Sequence, residues 1–241
     1  MAHIIFVTGT DTGVGKTLLT ALLLRQQRQS GVRAFGLKPI ASGGREDARI
    51  LASAQGEEIE LDEINPYYFR APIAPALAAR RERKSVHLGD VLRHVEDVNE
   101  REGCELLLVE GAGGVLVPLG DHFTVLDLIG ALQCPAIIVA PNKLGVVNHV
   151  LLTVHALARR NIPGIKVVLM NQRSRNLVAA TNAALIGEWS RGVPVLSIPY
   201  LGRNPWHMRR LSACSTKLKK TLAQIVRKDT FSSAFDVGLQ R

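Results

Sequence analysis

Residues 9–17 read Gly9-Thr10-Asp11-Thr12-Gly13-Val14-Gly15-Lys16-Thr17. They follow an apolar run, His3-Ile4-Ile5-Phe6-Val7-Thr8, with the look of a buried strand, and precede Leu18 to Gln29, rich in helix formers. A strand, a Gly-rich loop ending in Gly-Lys-Thr and then a helix is the context a phosphate-binding loop requires. The glycines let backbone N–H groups curl around an anion, and the open N–H groups at the helix start add a partial positive charge. Lys16 is placed to reach the outer phosphates of a nucleotide, and the Thr17 hydroxyl to meet Mg²⁺.

The common form of this loop has four residues between its outer glycines. Counting back from Gly15, the first position is Thr10 and Gly9 lies one further, so this loop is one residue longer. A related group of ATPases that move along membranes or DNA carries a second lysine four residues before the last glycine. That position here is Asp11, which argues against that group. With 241 residues, 46% of them hydrophobic, the chain can bury a sizeable core. No apolar run approaches a membrane span, and no signal peptide precedes the first strand, so a cytoplasmic protein is expected. Cys104, Cys134 and Cys214 are scattered without metal-ligand spacing and read as reduced thiols. Much of the net charge of +9 lies late, in Arg203, Arg209, Arg210, Lys217, Lys219, Lys220, Arg227 and Lys228. Only Trp206 interleaves there as an aromatic, so the cluster reads as a solvated helix face in preference to a nucleic-acid surface.

A second strand over Arg33 to Leu37 ends in Lys38-Pro39-Ile40-Ala41-Ser42-Gly43-Gly44. The carboxyl ends of parallel strands line the ligand crevice of α/β folds, which makes Lys38 and Ser42 candidates, although a lone lysine there also suits a surface. A helix over Arg45 to Gln55 opens with Glu46 and Asp47, fit either to complement the helix dipole or to serve Mg²⁺. Asn65-Pro66-Tyr67-Tyr68-Phe69 reads as extended, and Val86 to Glu102 as an amphipathic helix with Val91, Leu92, Val95 and Val98 on one stripe. Cys104 to Val109 is a buried strand closing on Glu110-Gly111-Ala112-Gly113-Gly114. An acid at that place is how phosphate-loop proteins hold Mg²⁺ or its water. Val115 to Leu119 continues as loop, and Phe123 to Leu132 as a short helix. The strand Pro135 to Ala140 leads through Leu144-Gly145-Val146-Val147-Asn148-His149 into a helix ending near Arg160. Gly145 leaves N–H groups open to an anion there, and His149 reads as a helix-start side chain. Ile165 to Met170 is a strand ended by Asn171-Gln172, Asn176 is a candidate cap for a helix over Leu177 to Glu188, and Pro194 to Ile198 is the last strand. Ser212 to Val226 reads as one C-terminal helix, and 229–241 as a frayed tail after a single domain over 1–228. The alternation predicts a three-layer α/β fold, like that of P-loop NTPases, with a mostly parallel central sheet.

Together these stretches resemble the dethiobiotin synthetases, ATP-dependent enzymes of biotin synthesis. The marks are the long loop, Gly36-Leu37-Lys38-Pro39-Ile40-Ala41-Ser42-Gly43, Asn65-Pro66-Tyr67, Val109 to Gly114, and Lys143-Leu144-Gly145 with Asn148-His149, spread in order over roughly the first 200 residues. The resemblance implies a reaction: diaminopelargonic acid takes up CO₂ as a carbamate, the carbamate attacks the γ-phosphate of ATP, and the second amine closes the ureido ring with loss of phosphate. It implies that Thr17, Asp47 and Glu110 hold Mg²⁺ and that Lys16 and Lys38 stabilise the carbamate and the transferring phosphoryl. ATP would lie along Thr12 to Leu18 (with Gly13, Val14 and Gly15) and along Gly111, Ala112 and Gly113. Its adenine would meet Asn171, Gln172, Pro199, Tyr200 and Leu201. Ser42 would touch the reacting end of the substrate. In a homodimer, Leu144, Gly145, Val146, Val147 and Asn148 would take its carboxylate across the interface. Gly13 stands where some members have an acid, Gln172 where an Asp is frequent, and the short link from Ser42 leaves Glu46 a rival to Asp47.

Two other readings frame this one. A cobyrinate-type amidotransferase synthetase shares the architecture but needs a glutaminase that 241 residues do not accommodate. A nucleotide-switched binding protein would not need the Lys38/Ser42 pair.

Overall fold

The computed structural model describes residues 2–101, 103–173 and 177–232. In chain order the elements are β1 (His3–Gly9), α1 (Lys16–Gln29), β2 (Ala34–Leu37), β3 (Ile40–Ser42), α2 (Glu46–Ala54), α3 (Leu61–Ile64), β4 (Tyr67–Phe69), α4 (Pro75–Arg81) and α5 (Leu88–Asn99). They continue with β5 (Leu106–Gly114), β6 (Pro118–Gly120), β7 (Phe123–Thr124), α6 (Val125–Leu132), β8 (Ala136–Asn142), α7 (Val146–Arg159), β9 (Ile165–Asn171), α8 (Leu177–Trp189), β10 (Val195–Ile198), α9 (Met208–Lys217) and α10 (Lys219–Val226).

Six strands form the central sheet in the order β10-β9-β8-β1-β5-β2, every neighbouring pair parallel. The apolar runs are near-continuous because helices cover both faces, so Ile5, Phe6, Val7, Leu107, Leu108, Ile137, Ile138, Val167 and Val168 are all fully buried. The strand order reverses at β1, where neighbours run away on both sides. The carboxyl ends around that switch point form the crevice, and β1 delivers the phosphate loop to its middle.

Several segments differ from the sequence reading. Strand β5 does not stop at Val109 but runs through the glycines to Gly114, because Gly114 pairs with Gly9 beyond a register shift. The stretch after it, expected as loop, contains β6, paired with β7 in an antiparallel hairpin. The helix expected from Phe123 therefore starts at Val125, capped by Thr124 and Asp127 in a reciprocal box. The extended segment at 65–69 finds its partner in β3. The single C-terminal helix starts earlier, at Met208, and breaks at Leu218, a bend that keeps Leu211, Ser215, Leu222 and Ile225 all buried. Asn176 lies outside the described residues.

The end of the chain is tied to the sheet by one buried cation. Lys166 on β9 is fully buried, and its Nζ donates to the carbonyls of Gln224 at 2.9 Å, Ile225 at 2.8 Å and Arg227 at 3.0 Å, the C-terminal acceptors of α10. The Phe231 ring covers the same ammonium at 3.8 Å. Ser232 bridges to Ile165. Residues 229–232, expected to fray, are thus held; 233–241 lie outside the described residues.

Candidate active site

The loop after β1 reaches α1 through Gly15, whose φ of +103° is a left-handed conformation suited to glycine. It turns the first N–H groups of α1 toward the loop's concavity. At Gly9 the backbone runs so close to Val14 that a Cβ would come within 2.8 Å of its methyl. Lys16 is 6% exposed and folds back over the loop, its Nζ donating to the Asp11 carbonyl at 2.8 Å. Burial, and after it the charge of Lys38, lower its pKa to about 8. Val14 and Leu18 are buried in the core, so only their backbone is free to meet a ligand.

Strand β5 brings Glu110 beneath this loop, with its side chain inaccessible to solvent. Its Oε1 accepts from the Thr17 hydroxyl at 2.7 Å and from Lys38 Nζ at 2.7 Å, while Oε2 is buried without a hydrogen-bond partner. Lys38 Nζ also donates to the Gly111 carbonyl at 3.2 Å and reaches Asp47 Oδ2 at 3.0 Å. All three of its protons are thus engaged. Burial alone would lower the Lys38 pKa; the carboxylates of Glu110 and then Asp47 outweigh it and raise it. Burial would likewise raise Asp47, but Lys38 and the Thr17 hydroxyl hold it below the usual carboxylate range. The buried Asn65 positions Lys38: its Nδ2 donates to the Lys38 carbonyl at 2.8 Å, and the Lys38 amide donates to Ile64 O at 2.9 Å. This gives the Asn65-Pro66-Tyr67 stretch a physical role that the sequence left open.

Glu46 points elsewhere and pairs with Arg49 at 3.1 Å. Between the two acids that open α2, only Asp47 lines the cavity. That cavity has a volume of about 680 Å³. Its floor is Lys16, Thr17, Lys38 and Asp47, and its sides include Gly13, Ser42, Ala112 and Gly113. Pro72, Ile73 and Pro75 make an apolar rim, and Trp206 closes one side. None of these four was singled out as a site residue from sequence, because they come from the stretch before α4, the first residue of α4 and the connection before α9, none with a motif of its own. The Ser42 hydroxyl already donates to the Ile73 carbonyl at 2.7 Å, fixing that rim.

Thr12 and Gly15 line the cavity as well, whereas the residues expected at the adenine and at the substrate carboxylate do not. At the paired ends of β8 and β9, Asn142 donates to Asn171 Oδ1 at 2.7 Å and accepts from Asn182 at 2.8 Å. Gln172 turns back to the Met170 carbonyl at 3.1 Å. Tyr200, with Arg173 and Arg203, lines a separate opening of about 430 Å³. The turn from Leu144 to Asn148 lies apart from both, with Leu144 81% exposed and Gly145 left-handed at φ +89°.

The donors suit Mg²⁺. Among the described residues no three His, Cys, Asp or Glu side chains form a metal cluster. Mg²⁺ is usually bound by one or two carboxylates together with substrate phosphates. Thr17, Asp47 and Glu110 offer hard oxygen atoms, and the partnerless Glu110 Oε2 is an acceptor lacking a cation or donor.

Residues 3–207 match a protein-family model described as an AAA domain. Among curated proteins, the chain is 42% identical to the ATP-dependent dethiobiotin synthetase BioD of Anaeromyxobacter dehalogenans (strain 2CP-C), covering 81% of this chain and 89% of that protein. It is 37% identical to the protein of the same name from Akkermansia muciniphila, covering 79% and 88%. Among solved structures it resembles the MinD cell division protein of Aquifex aeolicus, with TM-score 0.57 and 13% identity over 93% of this chain and 97% of that one. At that identity the likeness is one of fold, and it bears out the three-layer architecture.

Proposed function

The chain belongs to the family of ATP-dependent dethiobiotin synthetases, the cyclo-ligases of biotin biosynthesis, and from that premise we propose that the cavity floor at Lys16 and Lys38, backed by the buried Glu110, is where carbamate and γ-phosphate meet. The observation that carries this reading is the Lys38 ammonium. It is fixed by Glu110 at 2.7 Å inside the cavity that the phosphate loop also lines.

ATP is the co-substrate, and Thr17, Asp47 and Glu110 would hold Mg²⁺. Bound there, Mg²⁺ would neutralise charge on the β- and γ-phosphates. Lys16 and the α1 N-terminus hold the phosphates. Lys38 stays charged through neutral pH and sits one strand away, where a carbamate and the phosphoryl group it attacks are both anionic. A fixed ammonium there favours the transition state over the ground state. To reach them Lys38 must exchange one of its three acceptors. Asp47, about half exposed, is the one water most readily replaces. The apolar rim of Pro72, Ile73 and Pro75 suits the aliphatic chain of diaminopelargonic acid, with its diamine end toward Ser42. Asn171, Gln172 and 199–201 face the adenine end. The Leu144–Asn148 turn takes the distal carboxylate from the second subunit of a homodimer. Its absence from the cavity lining within one chain is consistent with a site shared between two.

The test is phosphate release from ATP with diaminopelargonic acid and bicarbonate each omitted in turn. Release that requires all three supports the reading. Release independent of the diamine, or dependent on glutamine, overturns it.

A further inference from the structure

Trp206 lies in the connection between β10 and α9, among the basic residues first read as a solvated face. One turn and three hydrogen bonds order the segment around it. Gly202 turns the chain at φ +85°, Arg210 donates to the Arg203 carbonyl, and α9 is seated on α1 through Arg25 to Ser212 and Ser215 to Gln29, both at 3.0 Å. The helix whose first turn holds the phosphates is thus the one that carries the support for Trp206. Trp206 is 41% exposed, yet it lines the phosphate cavity.

The sheet order decides what it faces. Glu110 and Lys38 stand on β5 and just past β2, on one side of β1. Trp206 arrives from β10, at the other edge, and the opening beside Tyr200 and Arg203 borders the same connection. A triphosphate with its γ end at Lys38 and its middle in the loop runs back toward that edge. We propose that Trp206 is a nucleoside-binding residue, its indole covering the base–ribose end of the bound nucleotide as a stacking wall. This rests on the assignment of the loop to ATP. Every base offers a π-face, and stacking is tolerant of base identity. The indole therefore adds affinity for nucleoside triphosphates in general, and adenine discrimination is left to amide groups such as that of Asn171.

The chain has two tryptophans, and Trp189→Phe leaves Trp206 as the only one, excited selectively beyond the tyrosine band. In that background ATP and CTP should both change the indole fluorescence on titration, and inorganic tripolyphosphate should not. Trp206→Ala should weaken ATP binding measured by calorimetry about five- to 150-fold. It should leave the KM for diaminopelargonic acid within about twofold of wild type, and Trp206→Phe should recover most of the loss. Silent fluorescence with calorimetric ATP binding intact would overturn the inference while sparing the proposed function. So would a raised KM for the diamine with ATP affinity unchanged, which would give the indole to the aliphatic substrate. Absence of ATP binding to the wild-type protein would overturn both.

Discussion

Replacing Lys38 by Met removes the ammonium and keeps most of the stem. Glu110 then sits without solvent contact, its Oε1 held only by the Thr17 hydroxyl and its Oε2 by nothing. Breaking a buried pair from one side costs about 3–5 kcal/mol, because the surviving charge is left uncompensated. One neutral donor remains, so the lower part of that range is expected. Glu110→Gln is milder, about 1–3 kcal/mol, since Lys38 retains Asp47 at 3.0 Å and the Gly111 carbonyl at 3.2 Å. In the double variant neither buried charge is stranded, and Asp47 is exposed enough to be solvated. The double loss should therefore fall short of the sum of the singles by about 1–3 kcal/mol. Urea unfolding without nucleotide, followed by circular dichroism and fluorescence, measures all four corners of the cycle. Added Mg²⁺ should restore part of the Lys38→Met loss, because a dication can replace the ammonium beside Glu110. Additive singles, or a Lys38→Met protein within about 0.5 kcal/mol of wild type, would show that the pair does not hold this site together.

At limiting Mg²⁺, Asp47→Asn should lower kcat by at least about tenfold while Glu46→Gln stays near wild type; the reverse order in steady-state kinetics would move the ligand by one residue. Lys16 titrates near pH 8 in the free protein, and phosphates favour its charged form. ATP binding should then take up protons around pH 8 and weaken above it, read by calorimetry in two buffers of different ionisation enthalpy; proton release would refute this. The same shift has a sign for stability. Below pH 8 Lys16 is charged in both states, whereas between about 8 and its ordinary 10.5 the unfolded chain binds more protons, so this group's contribution rises with pH across that window. Leu144 and Leu152 are 81% and 61% exposed. Leu152→Asp should shift the protein toward monomer in sedimentation and make activity fall on dilution, and a fully active wild-type monomer would end the shared-site reading.

The phosphate loop was legible because its chemistry is local: nine consecutive residues between a strand and a helix carry it. Lys38 was legible as the residue just past a strand end, and Glu110 as an acid closing an apolar run, positions the α/β pattern defines, although β5 itself continues to Gly114. Their contact was not, since it depends on β2 and β5 being neighbours, which parallel sheets settle through long crossovers. Glycines after Glu110 suggest a turn, yet the pairing of Gly114 with Gly9 draws them into the strand. Asp47 and Glu46 are adjacent on a helix and point in different directions, and only the position of Lys38 decides which one serves the cavity. Trp206 stood out in the sequence only as the aromatic among late basic residues, with nothing to tie it to the cavity. Its place follows from α9 packing on α1, nearly two hundred residues away in sequence from the partners that seat it.

The clasp on Lys166 imposes an order on the growing chain. The lysine is made 61 residues before the Arg227 carbonyl that completes its coordination. A buried ammonium without acceptors costs several kcal/mol, so closing β9 over it is disfavoured until α10 has been synthesised and folded back. The last turn of the last helix acts as a latch on translation's product. A chain released early, even one that contains the whole phosphate loop and all of the cavity floor, lacks the carbonyls that satisfy its buried lysine.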